Sequence, residues 1–391
     1  LVAGKDAGRP RKILLFAAAA GLAVITKATA YVFLAPLLVW ILAARIAHRG
    51  RELRAFGPGI LIFVALNAGH YSRNAAVYGS PIGPVEEGTS HLRYVNEAFG
   101  PAQVASNLAR NLALQLETPL EGPDRLIEAA VRAFHRLIGA DPDDPRTSWN
   151  PFRLSSTLVN ADRAGSPFHV VLIAAALVLA AKGLRDRRMG AYAIVCGSAC
   201  VMFAAVLKWQ PWHSRLHLPL FALWAPFVGV VLGARLAPRA TAAVATLLLL
   251  SAAPWVLANG SHPLCCRKSV LVEDRLTQYF TNDPDLQRPY EQAARRVLRE
   301  RCGQIGLVSD ADSWEYPLWK VFEQPKVPVR IEHVLVTNES SRKAAEPPYR
   351  DFQPCAVLSL RREEMPTALV GGRLFLRSWS LPEIQLLLPR R

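Results

Sequence analysis

Two short polar stretches lie at the ends of apolar blocks, and both carry groups suited to holding an anion. The first is HYSRNAAVYGSPIGP, His70–Pro84. It spaces His70, Arg73 and Asn74 so that an imidazole, a guanidinium and an amide share roughly one helical face. Gly79, Pro81, Gly83 and Pro84 then turn the chain. The second is KWQPWHSRLHLP, Lys208–Pro219, where Arg215 lies between His213 and His217, themselves one helical turn apart. A guanidinium stays charged and matches two phosphate oxygens. Ionisable groups beside a membrane core are costly to keep, which makes them functional candidates. Lys27, at the junction of two apolar blocks, adds a third cation. The expected lipid-phosphate or substrate site is therefore Lys27, His70, Arg73, Asn74, His213, Arg215 and His217. Lys27, Arg73 and Arg215 are expected to converge on one cavity, with His213 and His217 at its rim. The plainer reading is interfacial: snorkelling Arg and Tyr, and a tryptophan belt.

The elements that must position these groups are apolar blocks: Ile13–Thr26, Ala30–Ala47, Gly57–Tyr71, Phe168–Leu184, Ala191–Leu207, Leu216–Leu236 and Ala240–Leu257. They are apolar all round, whereas helices of a soluble bundle have a polar face. In lipid the backbone satisfies its own hydrogen bonds only as a helix or a closed barrel. The expected fold is thus an α-helical polytopic membrane protein with about seven transmembrane helices, followed by a small extracytoplasmic α/β domain. The formal charge of +15 is a topology signal rather than a nucleic-acid signal. Its clusters are Arg9, Arg11 and Lys12; Arg45, His48, Arg49, Arg51 and Arg54; Lys182, Arg185, Arg187 and Arg188; and Arg235 with Arg239. Placed in the cytoplasm by the positive-inside rule, they put Lys27–Thr29, the loop 72–167, the turn 208–215 and everything after Asn259 outside. The expected domains are 1–258, transmembrane, and 259–391, water-soluble. The expected location is the inner or plasma membrane, multi-pass.

The opening LVAGKDAGRPRKI reads as a cytoplasmic connection between helices, so the chain is expected to be the C-terminal part of a longer protein. In the long loop, Val104–Leu116 is moderately amphipathic. Asp124–Ile138 carries the stripe Leu126, Ile127, Ala130, Val131, Phe134, Leu137 and Ile138 opposite Arg125, Glu128, Arg132 and Arg136, which suits a helix lying on a membrane or on the protein's own surface. The acidic DPDDPR, Asp141–Arg146, is read as a turn, with a cation site as the alternative. After Asn259, helices are expected at Leu286–Arg301 and Trp314–Glu323. Strands are expected at Gln304–Ser309, Val329–Val336 and Ala356–Leu360, with a final hairpin from Arg373–Ser378 and Pro382–Leu388. No GxGxxG or P-loop is present. Cys196 and Cys200 are small helix residues. Of Cys265, Cys266, Cys302 and Cys355, the disulfide candidate is Cys302–Cys355, because adjacent parallel strands would bring the two into range, with Cys265 or Cys266 as a competing partner for either. Zinc would want CxxC-type spacing.

Three stretches carry a family resemblance: GLAVITKATAYVFLAPLLVW (Gly21–Trp40), HYSRNAAVYGSPIGP (His70–Pro84) and QPWHSRLHLPLF (Gln210–Phe221), with CGQIGL and EYPLW further on. Together they resemble the C-terminal half of a GT-C glycosyltransferase related to the bacterial protein O-mannosyltransferases and the lipid A aminoarabinose transferase. Leu216 stands where many relatives carry Tyr. The resemblance implies transfer of a sugar from a polyprenyl-phosphate donor to a lipid, glycan or protein acceptor at the outer face of the membrane. Lys27, Arg73 and Arg215 would then stabilise the leaving phosphate. It implies an acidic general base in a first outer loop, expected upstream of Leu1, so no catalytic residue is assigned here; nothing singles out Glu86 or Glu87 for that role. No cofactor is called for, and a divalent cation stays open. A polysaccharide polymerase or ligase using a lipid-linked glycan is the alternative. A transporter would show inverted repeats and broken helices.

Overall fold

The structure, a computed structural model, describes residues 10–47, 56–84, 94–154, 161–183, 187–265, 268–310, 312–323 and 327–390. Arg9, His48, Arg49, Arg51, Arg54, Glu86, Glu87, Arg185 and Cys266 lie outside them. The chain divides into two compact units, Leu1–Asn259 and Gly260–Arg391.

In the first unit every apolar block is helical. The helices are α1 (Pro10–Thr26), α2 (Ala30–Ala47), α3 (Phe56–Tyr78), α4 (Pro101–Leu116), α5 (Glu121–Ile138), α6 (Pro167–Gly183), α7 (Arg187–Val206), the single turn α8 (His213–Leu216), α9 (Leu218–Gly233) and α10 (Pro238–Ala258). Being helical does not make a block a membrane span. Among the described residues two helices, α7 and α10, are long and apolar enough to cross a membrane. The apolar stretches Ala30–Ala44, Pro167–Lys182 and Leu218–Gly233 are shorter. At 1.5 Å per residue the 16 residues of α9 rise about 24 Å, short of a hydrocarbon core of about 30 Å. Arg11 and Lys12 enter the first turn of α1, and α3 carries Asn67, His70, Arg73 and Asn74. The expected seven-span, GT-C-like polytopic bundle is therefore corrected to two span candidates, and the alternation of sides inferred from seven crossings goes with it. What stands is the coarser statement: two helices suited to a membrane.

Close packing in this unit uses small residues. Gly59 of α3 lies against Ala17 and Ile13 of α1. Buried Asn67 donates through Nδ2 to the Gly21 carbonyl at 3.2 Å and, one turn back, to Phe63 at 2.9 Å. Amide donation between helices in this way satisfies a polar group that lipid would not.

The segment after α3 folds onto the same unit, and its anchor is Arg110. This side chain is fully buried. It donates to the carbonyls of Pro142 and Thr147, to Thr147 Oγ1 and to Asn107 Oδ1. Burial lowers its pKa to about 10, against the pull of Asp143, Asp144 and Asp141. The acidic turn is thus the counter-charge of a buried guanidinium. Its carboxylates have partners of their own: Asp143 accepts from Arg132 Nη1 and Phe152 N, Asp144 from the Arg146 side chain, and Asp141 from Asp143 N.

The stripe of α5 is split. Val131 faces inward with Asp124 and His135, and Ile127 packs beside it, while Leu126, Phe134 and Leu137 stay exposed. His135 is held on the inward side. Its Nδ1 donates to the Val131 carbonyl at 2.8 Å and its Nε2 accepts from Ser106 Oγ of α4 at 2.7 Å.

The second unit has helices α11 (Arg275–Tyr279), α12 (Gln287–Arg299) and α13 (Glu315–Glu323) and strands β1 (Gln304–Val308), β2 (Arg330–His333), β3 (Ala356–Ser359), β4 (Thr367–Val370), β5 (Arg373–Leu381) and β6 (Ile384–Pro389). They form one mixed sheet in the order β2-β1-β3-β6-β5-β4. β2, β1 and β3 are parallel; β3, β6, β5 and β4 run antiparallel. α12 buries Tyr290, Ala293, Ala294 and Val297, the stripe a helix needs to pack on a sheet, and these meet Ile305, Leu307, Leu358 and Leu386. Val308, Val357, Phe375 and Leu387 form a second cluster. Cys302 and Cys355 each lie just ahead of the neighbouring strands β1 and β3 and are joined by a disulfide. A strand that sequence patterning passes over, β4, is too short to show its alternation.

Candidate functional site

The site grows from one face of α4. Asn107, Asn111 and Gln115 recur at intervals of one turn, and all three are buried. Asn107 donates to the Ala204 carbonyl at 2.9 Å, and Asn96 donates to Ala204 and Ala205 at 3.0 and 2.8 Å. Together they satisfy the last carbonyls of α7, which a helix leaves unpaired at its C-terminus. Backbone bonds Asn96 N to Val206 O, Lys208 N to Tyr94 O and Trp209 N to Thr147 O extend the seam. Buried Lys208 is paired with Glu97.

The next two amides hold the histidines. Asn111 Oδ1 accepts from His213 Nδ1, and Gln115 Nε2 donates to His217 Nδ1, each at 2.9 Å. Phe203 meets both rings edge-on, with centroids 4.8 and 4.7 Å away. This assigns the neutral tautomers: Nδ1–H in His213 and Nε2–H in His217. Burial forces the same state, pushing His213 well below the usual imidazole value, with help from His217 and Arg110, and His217 down to about 3.

A histidine whose folded pKa is depressed costs nothing above its unfolded value near 6.5, where it is neutral in both states. Below that value the unfolded chain takes up a proton that the fold refuses. We expect stability to fall by about 1.4 kcal/mol per pH unit for each of the two histidines below pH 6.5. Denaturation midpoints at pH 7.5 and 5.5 measure this. A His217→Phe chain should show a shallower loss, and identical slopes would sink the account.

His217 also lines a cavity of about 610 Å³ whose walls are mostly apolar, among them Ala109, Phe203 and Trp224. Asn111 and Gln115 lie in the same wall.

The cations are placed differently. Arg215 Nη1 donates to Asp162 Oδ2 at 2.9 Å, both side chains being about half exposed. Lys27 belongs to this group: its pKa is lowered first by desolvation and then by the Arg215 charge, with Asp162 pulling the other way. Arg163 stacks over Trp212 at 5.6 Å. Lys27 and Arg215 therefore come together as the sequence suggests. Arg73 does not join them by any described hydrogen bond or ion pair; it is exposed, and its guanidinium folds back along its own helix toward Gly69. His70 Nε2 pairs with Asn74 Nδ2 at 3.2 Å, and that amide also donates to the Pro81 carbonyl at 3.1 Å, so the pair closes the turn after α3.

Sequence reasoning missed Asp162 and Arg163, which stand in a short polar turn with no pattern of its own. It also missed the amide ladder of α4, whose signal was present as Asn, Asn and Gln at helical spacing in an apolar context. Among the described residues no group of His, Cys, Asp or Glu is arranged to hold a metal ion. Comparison with known proteins supplies no relative, since no family model, curated protein or solved structure matches this chain.

Proposed function

We propose that the chain takes part in transferring a sugar from a polyprenyl-phosphate-linked donor to an acceptor at a membrane surface, as a glycosyltransferase. The observation that carries this reading is the pair of Lys27 and Arg215 around a single carboxylate, Asp162. Two cations to one anion leave a net positive patch, and Arg215 is suited to a phosphate because its fork bonds two oxygens. Desolvation at Lys27 makes that ammonium more receptive to a further anion than an isolated surface lysine. An arriving phosphate would displace Asp162 from Arg215 and take its place. The charge that develops on the departing phosphate is what such a patch stabilises. Two helices suited to a membrane fit a reaction at a lipid surface. The Cys302–Cys355 disulfide fits an oxidising compartment, and hence an extracytoplasmic second unit.

The test uses a short polyprenyl phosphate bearing a photoreactive diazirine. Labelling of the full chain should fall about ten-fold in Arg215→Ala and in Lys27→Ala. Arg215→Lys, which keeps the charge and loses the fork, should fall between them and the parent. Asp162→Asn should label more strongly, because the competing carboxylate is gone. Unchanged labelling in Arg215→Ala removes the patch from the mechanism.

A further inference from the structure

The large cavity and the cationic patch have different chemistries, although His217 and Arg215 are two residues apart in the sequence. No acidic or basic side chain other than the His217 imidazole lines the cavity among the described residues. Its polar side chains are the amides of Asn111 and Gln115, that imidazole, the Trp224 indole and the Cys200 thiol. The Gln115 bond to Nδ1 fixes the other His217 nitrogen as an N–H donor, and Nε2 has no hydrogen-bond partner among the described residues. Two further polar atoms of residues in that wall are unpaired but enclosed, with almost no accessible surface of their own: Asn111 Nδ2, a donor, and Gln115 Oε1, an acceptor. All three residues are more than nine-tenths buried. Unpaired buried groups of this kind are rare and call for an explanation. A phosphate would bring its charge into an apolar cavity that offers it no cation. An uncharged hydroxyl accepts from the His217 Nε2–H and adds no charge.

We infer that this cavity binds an aliphatic chain ending in an uncharged hydroxyl, with the His217 Nε2–H, oriented by Gln115, reading the hydroxyl and Ala109, Phe203 and Trp224 among the residues that hold the chain. The site is separate from the phosphate patch and stands whether or not that patch binds a phosphate.

The experiment exposes the full chain, in phosphatidylcholine nanodiscs, to dodecanol or dodecyl phosphate, each carrying a diazirine in the chain. Labelled peptides are mapped by mass spectrometry. Dodecanol should label peptides of α4 and α9 at least ten-fold more than dodecyl phosphate does, and unlabelled dodecanol should compete. Ala109→Phe, which fills the cavity without touching its polar wall, should abolish this labelling. Gln115→Leu should lower it about five-fold. Equal or stronger labelling of α4 and α9 by the phosphate in the parent chain overturns the inference, as does dodecanol labelling that excess dodecanol does not reduce. The parent chain alone decides these two arms, so they hold even if a variant fails to fold. Polyprenyl phosphate labelling that is unchanged in Arg215→Ala, with dodecanol labelling of α4 and α9 preserved, would refute the phosphate reading and leave this one standing.

Discussion

Arg110→Leu should cost about 3–5 kcal/mol, the scale for removing one partner from a buried charged network. The leucine fills part of the space but answers none of the acceptors. The Pro142 carbonyl and the Asn107 amide oxygen would stay buried without a donor, and the Thr147 carbonyl would keep only its bond from Trp209 N. Three aspartates of the turn would lose the charge they surround. Arg110→Lys keeps the charge but has three donors on one nitrogen, which cannot reach acceptors on both sides of a planar fork; it should recover less than half of the loss. Thermal midpoints measure the cost, and limited proteolysis should show new cleavage between residues 141 and 154. An Arg110→Leu chain within about 1 kcal/mol of the parent would mean that the knot is ornamental.

Gly165→Ala should be nearly as damaging, for a steric reason. A Cβ at this position would stand 2.1 Å from the carbonyl oxygen of Glu117 and 3.0 Å from its carbon. Neither is the end of a flexible side chain, so backbone must move. The adjoining bond from Ser166 N to the Gln115 carbonyl, 2.8 Å, ties the same two segments. We expect a loss of about 2–4 kcal/mol and a displaced 161–163 turn, which would draw Asp162 away from Arg215. Gly122→Ala in α5 is the control. Its Cβ meets nothing within 4 Å, and in a helix the change should be neutral or gain up to about 1 kcal/mol. Equal effects of the two substitutions on the thermal midpoint would refute the steric explanation.

Much of the secondary structure was legible because apolar blocks and short apolar runs are local signals. Every apolar block in the first unit is a helix, and the β1, β2, β3, β5 and β6 segments of the second overlap the expected strands. What was not legible is what each helix does. Counting crossings from blocks treats 16 apolar residues as equivalent to 21, and the hydrocarbon thickness separates them. In α5 the stripe predicted a single apolar face, whereas the fold buries Val131 beside the bonded His135 imidazole and leaves Leu126, Phe134 and Leu137 exposed. The candidate site divided similarly. Residue type identified Lys27 and Arg215 as cations of one kind. It could not say that His213 and His217 would be answered by amides on α4, about 100 residues earlier in the chain. Proximity in sequence had tied the histidines to Arg215, whereas their bonds tie them to a different wall.

The seam between the 94–154 segment and the end of α7 also has a consequence in time. Arg110 and its partners Asn107, Pro142 and Thr147 lie within about 40 residues of one another, whereas Asn96 waits for carbonyls 108 and 109 residues downstream. Closing short loops first is entropically cheaper. During synthesis at about 5–20 residues per second, the Arg110 knot is complete several seconds before α7 exists to receive it. The segment therefore meets α7 as a preassembled piece, and α7's last carbonyls go without those amide donors until it docks. A ribosome-bound chain stopped before Ala204 should already protect residues 107–147 from protease while leaving Asn96 and its neighbours open.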